Sequence, residues 1–363
     1  MIHPAVRDLL AGLARHAAFQ ELVRAVLAEK PGEPRKLSLS GLTLTAKALY
    51  TVLLWQAVER PIIVVVDGNK QAESLSEAVE SFFDLLVSGR AARPQLLPAL
   101  DVLPFQRLSP HAEISEQRAI ALWRMATERV PITVTPVASA LLRTNAAEFY
   151  RQLAVALRPG DEVPLDDLTA HLESIGYERR DPVEMVGEYS VRGGILDVFS
   201  PESGQPYRIE FFGDEVESIR RFAVDSQRSV LKVADCTLLP LTEQPKSRQL
   251  FVELGRITGD EGVEITGEPF AGWEALAPLV RPRTSSVFRL AERPIVVWDE
   301  PEQLRGAAER LWKRLEDPER PMPAGPAGIF LTHEQIGEEV AGATRIELRE
   351  LALDESGGGL HIP

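Results

Sequence analysis

The sequence predicts an α/β protein whose parallel-sheet domain is interrupted by an inserted α+β domain with an antiparallel sheet. Three observations carry that expectation. Over residues 1–145, short β-branched runs alternate with helical periodicities. Beyond that point strands follow one another through tight turns rather than through helices. From about residue 245 the alternation of strand and helix returns.

Residues 5–29 read as helical, because Val6, Leu9, Leu10 and Leu13 recur at helical spacing, as do Leu22, Val23, Val26 and Leu27. Pro31-Gly32-Glu33-Pro34 breaks that pattern. Leu37–Leu39 is a strand candidate, followed by a turn over Gly41–Ala46 and a helix over Lys47–Val58. Pro61–Val66 is continuously apolar, as a strand covered on both faces of a parallel sheet should be. The next helix presents Ala72, Leu75, Ala78, Val79 and Phe82 on one face, and Ile132–Thr135 is a further buried strand.

In the insert, Asp166–Ile175 forms one amphipathic helix (Leu168, Leu172, Ile175) ended by Gly176. Strands over Tyr189–Phe199, Tyr207–Phe212 and Glu215–Phe222 follow as a meander, joined by Ser203-Gly204 and Gly213-Asp214. Pro294–Trp298 and Glu302–Leu315 then read as a buried strand and a helix.

Composition is that of an ordinary folded protein, with 44% hydrophobic and 26% charged residues. Apolar runs such as Ile62–Val66 are far too short to span a bilayer, so no membrane partner is expected. Met1-Ile2-His3-Pro4 lacks the basic start of a secretory signal. The single cysteine, Cys236, excludes an intramolecular disulfide and reads as a buried thiol in a reducing, cytoplasmic setting. A net charge of −14 opposes tight, nonspecific nucleic-acid binding by the whole surface. His3, His16, His111, His171, His333 and His361 are scattered, with no i, i+4 pair and no neighbouring cysteine, which argues against zinc. Gly357-Gly358-Gly359 is the one low-complexity stretch.

One constellation is laid out like a nucleotide site. Gly41-Leu42-Thr43-Leu44-Thr45-Ala46-Lys47-Ala48 follows a phosphate-loop pattern only in part. Ala46 stands where a second glycine would let backbone N–H groups wrap phosphate, and Ala48 stands where a hydroxyl would ligate Mg²⁺. Only Gly41 and Lys47 remain. Later, Ile295–Trp298 delivers Asp299 and Glu300, the two carboxylates a working ATPase uses for the metal shell and the attacking water. Phosphoryl transfer needs metal neutralisation and positioning together, so a degenerate P-loop, RecA-like domain without hydrolysis is expected. Lys47 either holds a phosphate weakly or, more plainly, is a solvated or helix-entry lysine. No catalytic residue, metal or cofactor is assigned.

Two segments carry a family resemblance. Gly187-Glu188-Tyr189-Ser190-Val191-Arg192-Gly193-Gly194-Ile195-Leu196-Asp197-Val198-Phe199 is the first. Arg208-Ile209-Glu210-Phe211-Phe212-Gly213-Asp214-Glu215-Val216-Glu217-Ser218-Ile219-Arg220, continued by Asp225–Ser229, is the second. They resemble the signatures shared by UvrB and the UvrB-like N-terminal region of bacterial transcription-repair coupling factors (Mfd). Leu103-Pro104-Phe105-Gln106-Arg107-Leu108-Ser109-Pro110 is more similar to the coupling factors, and nothing between Val102 and Arg118 is long enough for the DNA-gripping hairpin of UvrB. The departures at Ala46 and Ala48 also fit the coupling factors.

The resemblance covers essentially the whole chain. It implies domain 1a at residues 1–145, an inserted domain 2 at 146–241, domain 1b at 242–347 and a tail at 348–363. It implies a nucleotide-excision-repair adaptor that binds UvrA through domain 2. RNA polymerase, DNA and an ATP-dependent translocase motor would belong to parts of a longer protein. The alternative is a nucleotide-dependent, DNA-binding or helicase-type NTPase like UvrB. In the strand from Gly187, Tyr189 and Val191 alternate with Ser190 and Arg192, and in the next Tyr207, Ile209 and Phe211 alternate with Arg208 and Glu210. That alternation leaves either a solvated charged face or a contact face. With the resemblance, Arg192 is the expected UvrA contact, with Arg179, Arg208 and Phe199 as further candidates; Arg180 adjoins Arg179.

Overall fold

A computed structural model describes residues 4–29, 35–87, 89, 92–258, 267–320, 322, 325–351 and 360–361. The Pro31–Pro34 breaker, His3 and the Gly357–Gly359 run lie outside the described residues. The chain forms two compact units. One comprises residues 1–107, 124–147 and 281–363, and the other 108–123 and 148–280.

The first unit is built on a parallel sheet of seven described strands. Their order is Leu360–His361, Lys36–Ser40, Thr344–Leu348, Ile295–Asp299, Ile62–Val66, Ile132–Pro136 and Gln95–Leu96. Ile62–Val66 sits between two neighbours and is buried at every residue, as its unbroken β-branched run requires. Helix Leu44–Val58 is buried from Lys47 through Trp55, so it is apolar all round rather than amphipathic. It starts three residues earlier than Lys47, because Thr43 caps it by accepting the Ala46 amide at 3.4 Å. Helix Asn69–Leu86 buries Ala72, Leu75, Val79, Phe83 and Leu86; Phe82, expected in the core, is half-buried and Phe83 instead meets Trp55 at 5.2 Å. The helical stretch expected over residues 5–29 is two helices, Pro4–Leu13 and Ala17–Leu27, separated at Ala14–His16.

The second unit carries a six-stranded sheet in the order Arg228–Lys232, Glu215–Ala223, Tyr207–Phe212, Ile195–Val198, Glu188–Arg192 and Glu178–Arg179. All its pairings are antiparallel except the last, which is parallel. Tyr189–Phe199 is therefore a hairpin and not one strand. Gly193, at φ 59°, makes the turn, and a Cβ on Gly194 would lie 2.7 Å from the Phe211 carbonyl oxygen. One face buries Tyr189, Leu196, Val198, Ile209, Val216 and Ile219. The Tyr189 hydroxyl donates to Glu173 on helix Leu165–Ser174 at 2.5 Å, tying that helix to this face. Arg118 and Glu243 form a buried ion pair at 3.1 Å. Helices Arg248–Thr258 and Trp273–Val280 share a small core of Leu250, Phe251, Leu254, Trp273 and Ala277, so this unit runs on to Val280. Among the described residues no helix is long and apolar enough to cross a membrane.

Candidate functional site: a closed ion cluster and an open arginine face

Gly41 adopts φ 86° where the chain leaves strand Lys36–Ser40 and enters the Thr43-capped helix. That turn aims Lys47 at the carboxyl end of Ile295–Asp299. Its Nζ lies 2.6 Å from Asp299 Oδ1 and 2.6 Å from Glu300 Oε1. Asp299 also accepts from the Gln71 amide at 2.6 Å, and Glu300 from the Glu350 backbone N–H at 2.6 Å. Lys47 is 5% exposed and Asp299 2%. Lys47 thus stands in the first turn of its helix but is buried rather than solvated, which corrects the solvated reading. Alternation cannot reveal this, because the partners lie more than 250 residues away. Burial works against the charged lysine, but its hydrogen bonds and charge attraction to Asp299 and Glu300 outweigh it and raise its pKa. Burial dominates at Asp299 and moves its pKa up, although Lys47 pulls the other way. A phosphate arriving here meets one cation already held by two carboxylates. Ala46 and Ala48 add no wrapping glycine and no metal-ligating hydroxyl. Among the described residues, no group of three or more His, Cys, Asp or Glu could hold a metal ion.

The second constellation lies on the sheet of the other unit. Cross-strand register places Ser190 opposite Asp197, and Asp197 opposite Arg208. Ser190, Arg192, Asp197, Arg208 and Glu210 therefore share the face opposite the apolar one. Asp197 is 1% exposed and accepts from three guanidinium nitrogens, each at 2.7 Å: Arg208 Nε, Arg208 Nη2 and Arg192 Nη2. Arg208 is fixed further by the Gln227 carbonyl at 3.0 Å and stacks over Phe222 at 4.7 Å. Its charged form is favoured chiefly by the Asp197 hydrogen bonds. Arg192 reaches the same carboxylate yet leaves 51% of its side chain in solvent, with Asp181 3.8 Å away. One buried carboxylate thus orders two arginines, Arg208 largely buried and Arg192 half exposed at the surface.

The remaining sequence candidates fall elsewhere. Arg179 is exposed but registers with Tyr189, placing it on the opposite face from Arg192. Phe199 is half-buried just past its strand. The aromatic that sequence reasoning missed is Phe212. It is 80% exposed at the Gly213 turn, and two-residue alternation from Arg208 and Glu210 puts it on the arginine face. The signal was available: Phe211 and Phe212 are adjacent in a strand, so one of the pair must face away from the core.

A parallel-sheet unit with a P-loop-like turn, carrying a second unit with an antiparallel sheet, defines a UvrB-type repair region. The family model described as "UvrB interaction domain" matches residues 155–243. A transcription-repair-coupling factor of Haemophilus influenzae is 29% identical over 339 residues, 88% of this chain and 29% of that protein. One of Myxococcus xanthus is 29% identical over 90% of this chain and 29% of its own length. One of Escherichia coli is 32% identical over 69% of this chain and 21% of its own. The chain belongs to the UvrB-like N-terminal region of the transcription-repair-coupling-factor family, and it matches under a third of the length of these relatives.

Proposed function

We propose that this chain is a docking module that recruits UvrA through the antiparallel sheet and hydrolyses no nucleotide itself. The carrying observation is the arginine face: Arg192 and Arg208 held on buried Asp197, with Phe212 exposed on the same side. Arginine and aromatic side chains dominate interface energetics, and pre-ordering reduces the entropy lost on association. Residues 146–241 are the piece proposed to carry the contact. Contacts to RNA polymerase and DNA belong, in this reading, to other parts of a longer cytoplasmic protein. The lack of turnover follows from the internally neutralised Lys47 and from alanine at positions 46 and 48. Lys47 and Gly41 therefore bind no nucleotide productively.

The test is calorimetric titration of UvrA into the chain. Arg192→Ala and Phe212→Ala should each weaken binding by about 2 kcal/mol, roughly thirtyfold. Unchanged affinity in both variants would place the contact elsewhere. Mg²⁺-dependent ATP turnover that disappears in Lys47→Ala would overturn the non-catalytic part.

A further inference from the structure

The last pairing of the six-stranded sheet sends a loop across it. Strands Glu178–Arg179 and Glu188–Arg192 run parallel, with Glu178 opposite Glu188 and Arg179 opposite Tyr189. A parallel pair cannot be joined by a hairpin turn, so the chain between them must travel back along the sheet over one of its faces. Hydrogen bonds show that it crosses the arginine face. Glu188 alternates with Tyr189 and so shares the side of Ser190 and Arg192. Its Oε2 accepts from the backbone N–H groups of Glu184 at 2.8 Å and Met185 at 2.9 Å. The Gln227 side-chain amide donates to the Val183 carbonyl at 3.1 Å, and the Gln227 backbone carbonyl is the one that accepts from Arg208. Asp181 stands beside Arg192, and Val183 is buried.

The tethered loop nevertheless shows two adjacent apolar side chains to solvent: Met185 is 68% exposed and Val186 45%. Scattered surface apolar residues are ordinary, but these two are neighbours, and the Glu188 carboxylate is spent on fixing the backbone that carries them. They lie at the Glu188 end of strand Glu188–Arg192, about 13 Å along it from Arg192. Phe212 lies near the Arg192 end, since Glu210 registers with Ile195 and Ile195 with Arg192. One half-exposed arginine and one phenylalanine are few for a stable interface, which covers about 800 Å² per partner. The loop adds apolar area on the same side of the sheet.

We infer that the loop over residues 180–187 belongs to the docking face, with Met185 and Val186 as apolar contacts for UvrA and Glu188 as the residue that positions them. The inference rests on the docking reading above. Methionine suits this role, because its flexible, polarisable side chain moulds to a partner surface. The fixed backbone beneath it keeps the entropy lost on binding small. What this part of the face asks of the partner is an apolar recess, not further charge.

The experiment measures affinity and dissociation rate of UvrA with the whole chain, at low and high salt. Variants are Met185→Ser, Met185→Ser/Val186→Ser, Glu188→Ala, Glu188→Gln and Arg192→Ala, with Ile257→Ser on helix Arg248–Thr258 as a similarly exposed apolar control in the same unit. Met185→Ser should weaken binding about fivefold and the double variant about tenfold, through faster dissociation that salt leaves unchanged. Glu188→Ala should approach the loss of the double variant with both apolar side chains still present. Glu188→Gln should recover part of that loss, because its carbonyl oxygen still accepts an N–H. Ile257→Ser should bind like the parent. If Arg192→Ala weakens binding while both loop variants match the parent, the loop assignment is wrong and the docking face stands. Parent-like binding by Arg192→Ala removes the docking reading, and the loop with it. A fall in melting temperature large enough to account for the loss in Met185→Ser would make that side chain structural and overturn the inference.

Discussion

The two ion clusters have the same ingredients and opposite accessibility. At the P-loop-like turn, one lysine sits on two carboxylates and is itself nearly sealed: side-chain exposure is 6% for Lys47, 2% for Asp299 and 20% for Glu300. On the antiparallel sheet, two arginines sit on one carboxylate that is 1% exposed, yet Arg192 keeps half its side chain in water. In the first cluster the cation is consumed by the fold. In the second the carboxylate is consumed, and the cations are positioned by it. The contrast teaches that what a charged cluster leaves at the surface depends on which partner is buried, not on how many charges meet. Guanidinium geometry makes the second case possible: Arg208 spends Nε, Nη1 and Nη2 on Asp197 and Gln227, while Arg192 bonds Asp197 through one nitrogen and keeps other N–H groups in solvent.

The strongest way to break the comparison is Lys47→Met. Removing one member of a buried pair leaves charge uncompensated and typically costs about 3–5 kcal/mol. Urea unfolding of the parallel-sheet unit should show that loss, with no change in UvrA affinity. A variant of unchanged stability would mean that Lys47 is free to serve a ligand, and the two clusters would then not differ. Asp197→Ala probes the other side. It strips both arginines of their anchor and leaves two guanidinium groups facing each other, so about 2–3 kcal/mol of stability and most UvrA binding should go together. Arg192→Ala, by contrast, leaves Arg208 on Asp197 in two-pronged contact and should cost at most about 1 kcal/mol of stability. Equal stability losses for these two variants would remove the distinction between anchor and anchored residue.

Much of the scaffold was legible because local chemistry matched global placement. Pro61–Val66 announced a doubly covered strand through its β-branched run, and Gly176 ended its helix with φ 108° as its position suggested. The P-loop-like turn and the Asp299-Glu300 pair were also readable as one site, since each stood at the end of a strand in an α/β pattern. What sequence could not supply were long-range pairings. Asp197 draws no attention in the chain, yet it holds the arginine face, and only register brings it opposite Arg208. Lys47 looked like a surface residue because its two carboxylates come from the far end of the chain. Phe199 entered as a candidate through the resemblance, whereas counting alternation within Tyr207–Phe212 brings out Phe212 on the side of Arg208 and Glu210. The all-exposed strand Arg228–Lys232 carries too little apolar periodicity to be read at all.

The smallest expected effect concerns Cys236, and it tests whether the interior of the unit that carries the open face is as closed as the Lys47 cluster. Cys236 is 2% exposed, in a strand that pairs with Val155–Leu157. Burial, with a minor contribution from Asp235, pushes its thiol pKa from 9.0 up to about 12. A raised thiol pKa means that the folded state prefers the neutral form. Its stabilising effect is complete below pH 9 and declines as pH climbs toward about 12. At pH 8 the thiolate fraction is suppressed about a thousandfold relative to the unfolded chain, since each pKa unit is a factor of ten. A thiol-reactive dye should therefore label the native chain at a rate set by unfolding, accelerated by denaturant and raised by no more than about fivefold by Arg192→Ala. Asp197→Ala, which destabilises the same unit, should speed labelling, while Lys47→Met in the other unit should not. Fast labelling of the native parent would show that this core opens locally, so the arginines would be held by a yielding support and their pre-ordering would no longer account for binding.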